Sequence, residues 1–215
     1  MERILFVLTE GCSWRGIDSP DASWNTVYQY HRHWCQTGLW QKIFEDYGKT
    51  TVGQEYYIDS THIKVHAHGS NPQGGQIHQD MGRTKGGMNT KIHATVDRRG
   101  AVVSFQLSAG TVADVGVGPD LILGCRNVTV VADKGYDSDP FRTLIRDENS
   151  IPCIPSRSNR KQPQRYSKRS YRRRHKIENH FEKLKRFRRI ATRYDKLSIH
   201  FLGFVCLASY IVEHL

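Results

Sequence analysis

The stretch 171–185, YRRRHKIENHFEKLK, sets acids, cations and a tyrosine at helical spacing and contains no Pro or Gly. It should therefore form one helix. At about 100° per residue, Tyr171, Arg174, Glu178, Glu182 and Lys185 fall within one narrow arc. Ile177, Phe181 and Leu184 make an apolar stripe beside that arc, and Arg172, Arg173, Lys176 and Lys183 take the remaining side. Such a helix docks by its stripe, holds a carboxylate at the stripe's edge and shows cations to a polyanion. Phosphodiester chemistry needs an activated oxygen nucleophile and relief of charge on the leaving oxygen. Two divalent ions roughly 3.5–4 Å apart supply both when a few carboxylates hold them. Mg²⁺ prefers oxygen ligands and keeps positions for water and phosphate. Two strand-end aspartates plus one helix glutamate meet that demand without His or Cys.

The elements that would position such a set follow in order along the chain. Residues 55–59 (EYYID) read as a short strand ending on Asp59, with Ile63 and Val65 able to continue it. Residues 69–87, rich in Gly, Gln, Asn and Lys, read as a long mobile loop. Residues 90–96 and 101–107 alternate as a strand pair around the turn at 97–100. A helix is expected from Asp114 to Leu123. Residues 127–132 (NVTVVA) are a continuous β-branched run, as in a central buried strand, and deliver Asp133 at its carboxyl end. Asp139 with Pro140 marks an N-cap and first turn for a helix over 140–147. Residues 151–155 are a fifth strand, and the apolar run 201–212 is a buried C-terminal helix. The order β-β-β-α-β-α-β-α-α is that of an RNase H-like fold, a mixed α/β sheet flanked by helices. Ligand sites of open α/β sheets gather at strand carboxyl ends, where this reading puts Asp59 and Asp133.

Each acid has a plainer role open to it. Asp59 and Asp133 could cap or close turns. Asp137 rivals Asp133, Asp97 suits a hairpin turn and Asp114 an N-cap. Glu182 shares the arc with Glu178, although with Arg186 four residues on it also suits a surface ion pair.

Composition narrows the partners. The 215 residues carry a formal net charge of +11 and are 38% hydrophobic, enough for a real core. The basic excess clusters in residues 157–193, as expected of a nucleic-acid binder. Five cysteines without a C-x2-C pair fit a reducing, cytoplasmic setting. No stretch is long and apolar enough to span a bilayer. His31, His33 and Cys35 alternate on a helix and point apart, which does not suit a zinc site. That helix, over 24–37 with Ser23 as N-cap and Gly38 as its stop, is followed by a second over 39–47. The pair is compatible with a helix-turn-helix or with a helical cap packed on the main domain.

The spacing Tyr171-x2-Arg174-x3-Glu178-x6-Lys185 resembles the Y-x2-R-x3-E-x6-K signature of DDE-type bacterial insertion-sequence transposases, of the IS-four and IS-five-like branch. YIDST at 57–61 and VADKGYD at 131–137 resemble the family's two upstream blocks, in the same order. GCSWR at 11–15 and WNTVY at 24–28 resemble its N-terminal region. The resemblance implies that Asp59, Asp133 and Glu178 are the catalytic triad, holding two Mg²⁺ for which Mn²⁺ can substitute. It implies that Lys134, Tyr171, Arg174 and Lys185 hold the DNA end near the metals. It implies double-stranded DNA partners, the inverted repeats of the element and a target, bound by a homodimer or larger assembly at the nucleoid. Residues 1–50 are then an N-terminal helical region, a shortened end-recognition part, and residues 51–215 the catalytic domain. An RNase H-like nuclease without strand transfer and an inactive DNA-binding remnant are the alternatives.

Overall fold

The sheet is built on β1 (Glu55–Val65), whose alternating side chains divide the molecule into two layers. The computed structural model describes residues 1–48 and 54–214. Tyr57, Asp59, Thr61 and Ile63 face one way, and Tyr56, Ile58 and Ser60 the other. On one edge β1 pairs antiparallel with β3 (Gly87–Asp97), which carries β2 (Gly82–Thr84) and β4 (Val102–Ala109) beyond it. On the other edge it pairs in parallel with β5 (Thr129–Val131), and β5 with β6 (Ile151–Cys153). Three antiparallel strands followed by two parallel to the first form the RNase H-like mixed sheet expected from the element order.

The first layer packs α7 (His175–Leu184) and α9 (Ser198–His214) on the sheet. Ile177, Phe181 and Leu184 share a core with Tyr57, Ile63 and Val131, so the stripe docks as its spacing requires. The same core takes in α1 (Glu2–Glu10), α2 (Trp24–Gln36) and α3 (Leu39–Gly48) through Leu8, Cys35 and Trp40. Gly203 of α9 allows that approach, because a Cβ there would lie 2.5 Å from Cys35 Sγ. The second layer packs α4 (Asp114–Leu121) and α5 (Asp139–Asp147) against Tyr56, Ile58 and Val130. The expected division between residues 50 and 51 lies outside the described residues, as does Leu215. No helix among the described residues is long and apolar enough to cross a membrane.

Several expectations change. Asp59 lies in the middle of β1, because the strand runs on to Val65 against β3 and, at Lys64 and Val65, against β7 (Thr192–Arg193). The stretch 171–185 is not one helix. Tyr171 belongs to α6 (Lys168–Arg172), and Arg174 is the N-cap of α7. At the junction the amides of Arg173, Arg174, Lys176 and Ile177 bond three residues back instead of four, which tightens the turn. Residues 69–87 are not an unstructured loop, since they contain the helical turn Ile77–Gln79 and β2. Ser138, not Asp139, caps α5, through a bond from Phe141 N. Asp114 lies inside the first turn of α4, and its carboxylate bonds Lys91 and Ser60.

Candidate active site

Along the β5 side of β1 there is a gap. β5 covers residues 55–57 and β7 covers 64–65, and among the described residues no strand pairs 58–63 on that side. Asp59 lies within this unpaired stretch, on the face that packs α7, with the Ser60 amide donating to its Oδ1 at 2.9 Å. The register pairs Tyr57 with Val131, so two residues further on Asp133 stands level with Asp59, beyond the end of β5. Asp59 is therefore at a carboxyl end only relative to its parallel neighbour. Asp133 caps the turn Lys134–Tyr136, its Oδ1 accepting from Gly135 N at 2.7 Å. A Cβ on residue 135 would come 2.8 Å from that oxygen, which is why glycine stands there.

Arg174 joins β1 to α7. Its Nη1 donates to Asp59 Oδ2 at 2.6 Å and its Nη2 to Glu178 Oε1 at 2.5 Å. The guanidinium carbon lies 5.9 Å from the Tyr171 ring centroid. Lys185 Nζ donates to Thr61 Oγ1 at 2.6 Å, two residues along β1 from Asp59 on the same face. Burial pushes the Asp59 carboxyl above the ordinary range and the Asp133 charge pushes the same way, against Arg174 and the Ser60 amide. The Tyr136 hydroxyl, fully buried, has no hydrogen-bond partner among the described residues. Burial, together with the charges of Asp114, Asp59 and Asp133, pushes its pKa up, so it stands behind the carboxylates as a neutral donor.

Six of the seven residues singled out from sequence are thus tied to this face, and the seventh, Lys134, is exposed directly after Asp133. Two rivals lie elsewhere. Asp137 is taken: its Oδ1 accepts from Arg142 Nε at 2.8 Å, and its Oδ2 from Arg157 N at 2.8 Å and Arg160 Nε at 2.9 Å. Glu182 is exposed and makes no ion pair with Arg186, because α7 ends at Leu184 before a fourth-residue partner can be held.

Sequence reasoning missed the clamp beneath the site. Arg173, grouped with the outward cations, turns inward instead. Its Nε donates to Glu55 Oε2 at 2.9 Å and its Nη2 to Glu55 Oε1. Tyr57 Oη and Ser170 Oγ also donate to Glu55, at 2.7 and 2.8 Å. Burial opposes ionisation of Glu55, but the bonds from Arg173, Tyr57 and Ser170 hold its pKa down to about 2. One available signal is that neighbouring arginines on a helix point about 100° apart, so Arg173 and Arg174 cannot serve one surface.

The oxygen-only donor set suits Mg²⁺. Asp59 and Glu178 already converge on one cation, the guanidinium, and Tyr136 presents an unused polar atom behind them. As they stand, no three His, Cys, Asp or Glu side chains among the described residues are grouped to hold an ion. The donor chemistry of Asp59, Asp133 and Glu178 fits the metal, and Arg174 holds the space between Asp59 and Glu178.

A family model described as "Transposase DDE domain" matches residues 52–210, and one for transposases of the IS4/5 family matches residues 1–44. A curated relative from Brucella ovis, named as a transposase for insertion sequence element IS6501, is 38% identical over 126 residues, 56% of this chain and 95% of the relative. Among solved structures, a piggyBac transposase synaptic complex with hairpin DNA aligns at TM-score 0.47 and 11% identity, over 76% of this chain and 48% of that one. The chain thus spans about half of that protein. A Mos1 mariner paired end complex with Mn aligns at TM-score 0.33 and 11% identity, over 85% and 76%.

Proposed function

Because the chain belongs to the family of DDE-domain transposases, we propose that it is a DNA transposase that cuts the ends of its insertion sequence and joins them to target DNA at Asp59, Asp133 and Glu178. The observation that carries this reading is the convergence of Asp59 and Glu178 on one cation, with Asp133 level across the parallel strands. The three carboxylates would hold two Mg²⁺, which when bound would supply activation of the attacking oxygen and charge relief on the leaving one. Lys134 and Lys185 neutralise phosphate oxygens, and Tyr171 and Arg174 fix the DNA end against α7. Water is the first nucleophile, and the 3′-hydroxyl it releases is the second, attacking a target phosphodiester in line. Residues 1–50 contribute to recognition of the element's ends, residues 51–215 carry the chemistry, and a dimer or larger assembly holds two ends together.

Two measurements test this. Strand cleavage and joining of end DNA should need Mg²⁺ or Mn²⁺ and stop in EDTA. Ca²⁺ should bind without turnover, because its looser coordination spoils in-line geometry. Cleavage that persists in EDTA would remove the carboxylate reading, and cleavage without joined product would make the chain a nuclease. Binding should also weaken steeply with salt, with a log–log slope of about −0.9 per phosphate neutralised. A flat titration counts against the basic segment 157–193 as the DNA surface.

A further inference from the structure

Arg174 stands where an ion shared by Asp59 and Glu178 would have to stand. Its nitrogens are 2.6 and 2.5 Å from the two carboxylate oxygens, which leaves no room for a cation bound to both. We propose that Arg174 is an exchangeable counter-ion, which neutralises Asp59 and Glu178 in the DNA-free protein and excludes the divalent cation until a DNA phosphate draws the guanidinium away. The inference rests on the reading of these two carboxylates as metal ligands and adds an order to their filling.

The neighbouring arginine shows what a fixed guanidinium looks like. Arg173 places two nitrogens on both oxygens of Glu55, and Tyr57 and Ser170 complete the shell of that carboxylate. Arg174 gives one nitrogen to each of two carboxylates, without the paired fork that makes such contacts strong. Half of the Glu178 side chain is open to solvent. The Arg174 side chain can therefore leave while the Arg173 clamp keeps the backbone of the α6–α7 junction in place. It cannot leave freely, because Asp59 has only 19% of its side chain exposed and an unpaired buried carboxylate is costly. Departure must be matched by arrival of another cation. A phosphate offers the guanidinium two oxygens at the spacing of its fork, and a divalent ion then restores the charge at Asp59 and Glu178. DNA and metal are thereby coupled, each strengthening the other by the same factor.

The test is Mn²⁺ binding, followed by the electron paramagnetic resonance of the free ion, in wild type, Arg174→Gln, Arg174→Lys and Asp59→Asn. Without DNA, Arg174→Gln should bind Mn²⁺ tighter than wild type, on the order of ten- to a hundredfold. Arg174→Lys, a point charge that cannot span both carboxylates, should fall between them and guards against a misfolded Gln variant. A short duplex of the element's own end should raise the wild-type affinity, after subtraction of the Asp59→Asn signal on the same DNA, and barely change that of Arg174→Gln. Equal affinities in wild type and Arg174→Gln, both lost in Asp59→Asn, would leave the ligand reading standing and overturn the exchange alone. No Mn²⁺ binding above the Asp59→Asn background in any variant, with or without DNA, would overturn the ligand reading and the exchange with it.

Discussion

Glu178→Gln is expected to abolish Mg²⁺-dependent cleavage of end DNA while duplex binding survives, and Glu182→Gln to keep both. The two acids lie one turn apart on α7 and share an arc, but their surroundings differ. Glu178 follows buried Ile177 and accepts from the same guanidinium that donates to Asp59. Glu182 is exposed, with no ion pair among the described residues. With two Mg²⁺ held as proposed, three carboxylates and a phosphate would balance four positive charges, so losing one carboxylate should cost at least about a thousandfold in rate, or ~4 kcal/mol. Gln keeps the size of Glu and can still accept from Arg174, so the fold should hold. The check is nicking and gel-shift binding of both variants on one inverted-repeat fragment. Wild-type cleavage by Glu178→Gln, or a dead Glu182→Gln, would mean that α7 presents a different residue.

Asp137→Ala should destabilise the protein strongly, whereas Asp133→Asn should not. Asp137 and Arg142 have only 1% and 2% of their side chains exposed. Removing the carboxylate strands a buried guanidinium, at a cost of about 3–5 kcal/mol. For a chain of this size that lowers the melting temperature by roughly 10 °C. Asp133 accepts one bond from Gly135 and supports no buried cation, so its loss should strike activity instead. The effect at residue 137 has a pH signature. Burial pushes the Asp137 carboxyl up, but the Arg157 amide, Arg160 and Arg142 outweigh it and hold the pKa below the ordinary range. Its stabilisation is then full above the unfolded value near pH 4 and fades as pH falls towards the folded value. Melting curves at pH 7 and in acid should show the Asp137→Ala deficit shrinking in acid. An unchanged melting temperature at pH 7 would return Asp137 to the list of candidate ligands.

Much of the candidate site's placement was legible because its residues lie on elements with strong local periodicity. The β-branched run before Asp133 could only be a buried strand, and the stripe of Ile177, Phe181 and Leu184 could only dock. The centre of the RNase H-like sheet followed from element order, since parallel β1 and β5 need the α4 crossover between them. The parts that escaped depend on non-local partners. Asp133 and Asp137 look alike in sequence because Arg157 and Arg160, which occupy Asp137, lie about twenty residues further on. Glu55 is bound by Arg173 across more than a hundred residues. The break in 171–185 has no Pro or Gly to announce it. It accompanies two neighbouring arginines drawn to different carboxylates of β1, Arg173 to Glu55 and Arg174 to Asp59.

The gap along β1 has another side to it. A bare stretch of strand invites a foreign chain to add itself, which is how sheets aggregate. Here the bare stretch runs from residue 58 to 63, roughly 20 Å at strand spacing, and β5 and β7 close it at both ends. An intruding strand would have to be that short and would meet the charged side chains of Asp59, Arg174 and Lys185 beside the slot. The charges proposed to meet phosphate would also guard this bare length of strand against a foreign chain.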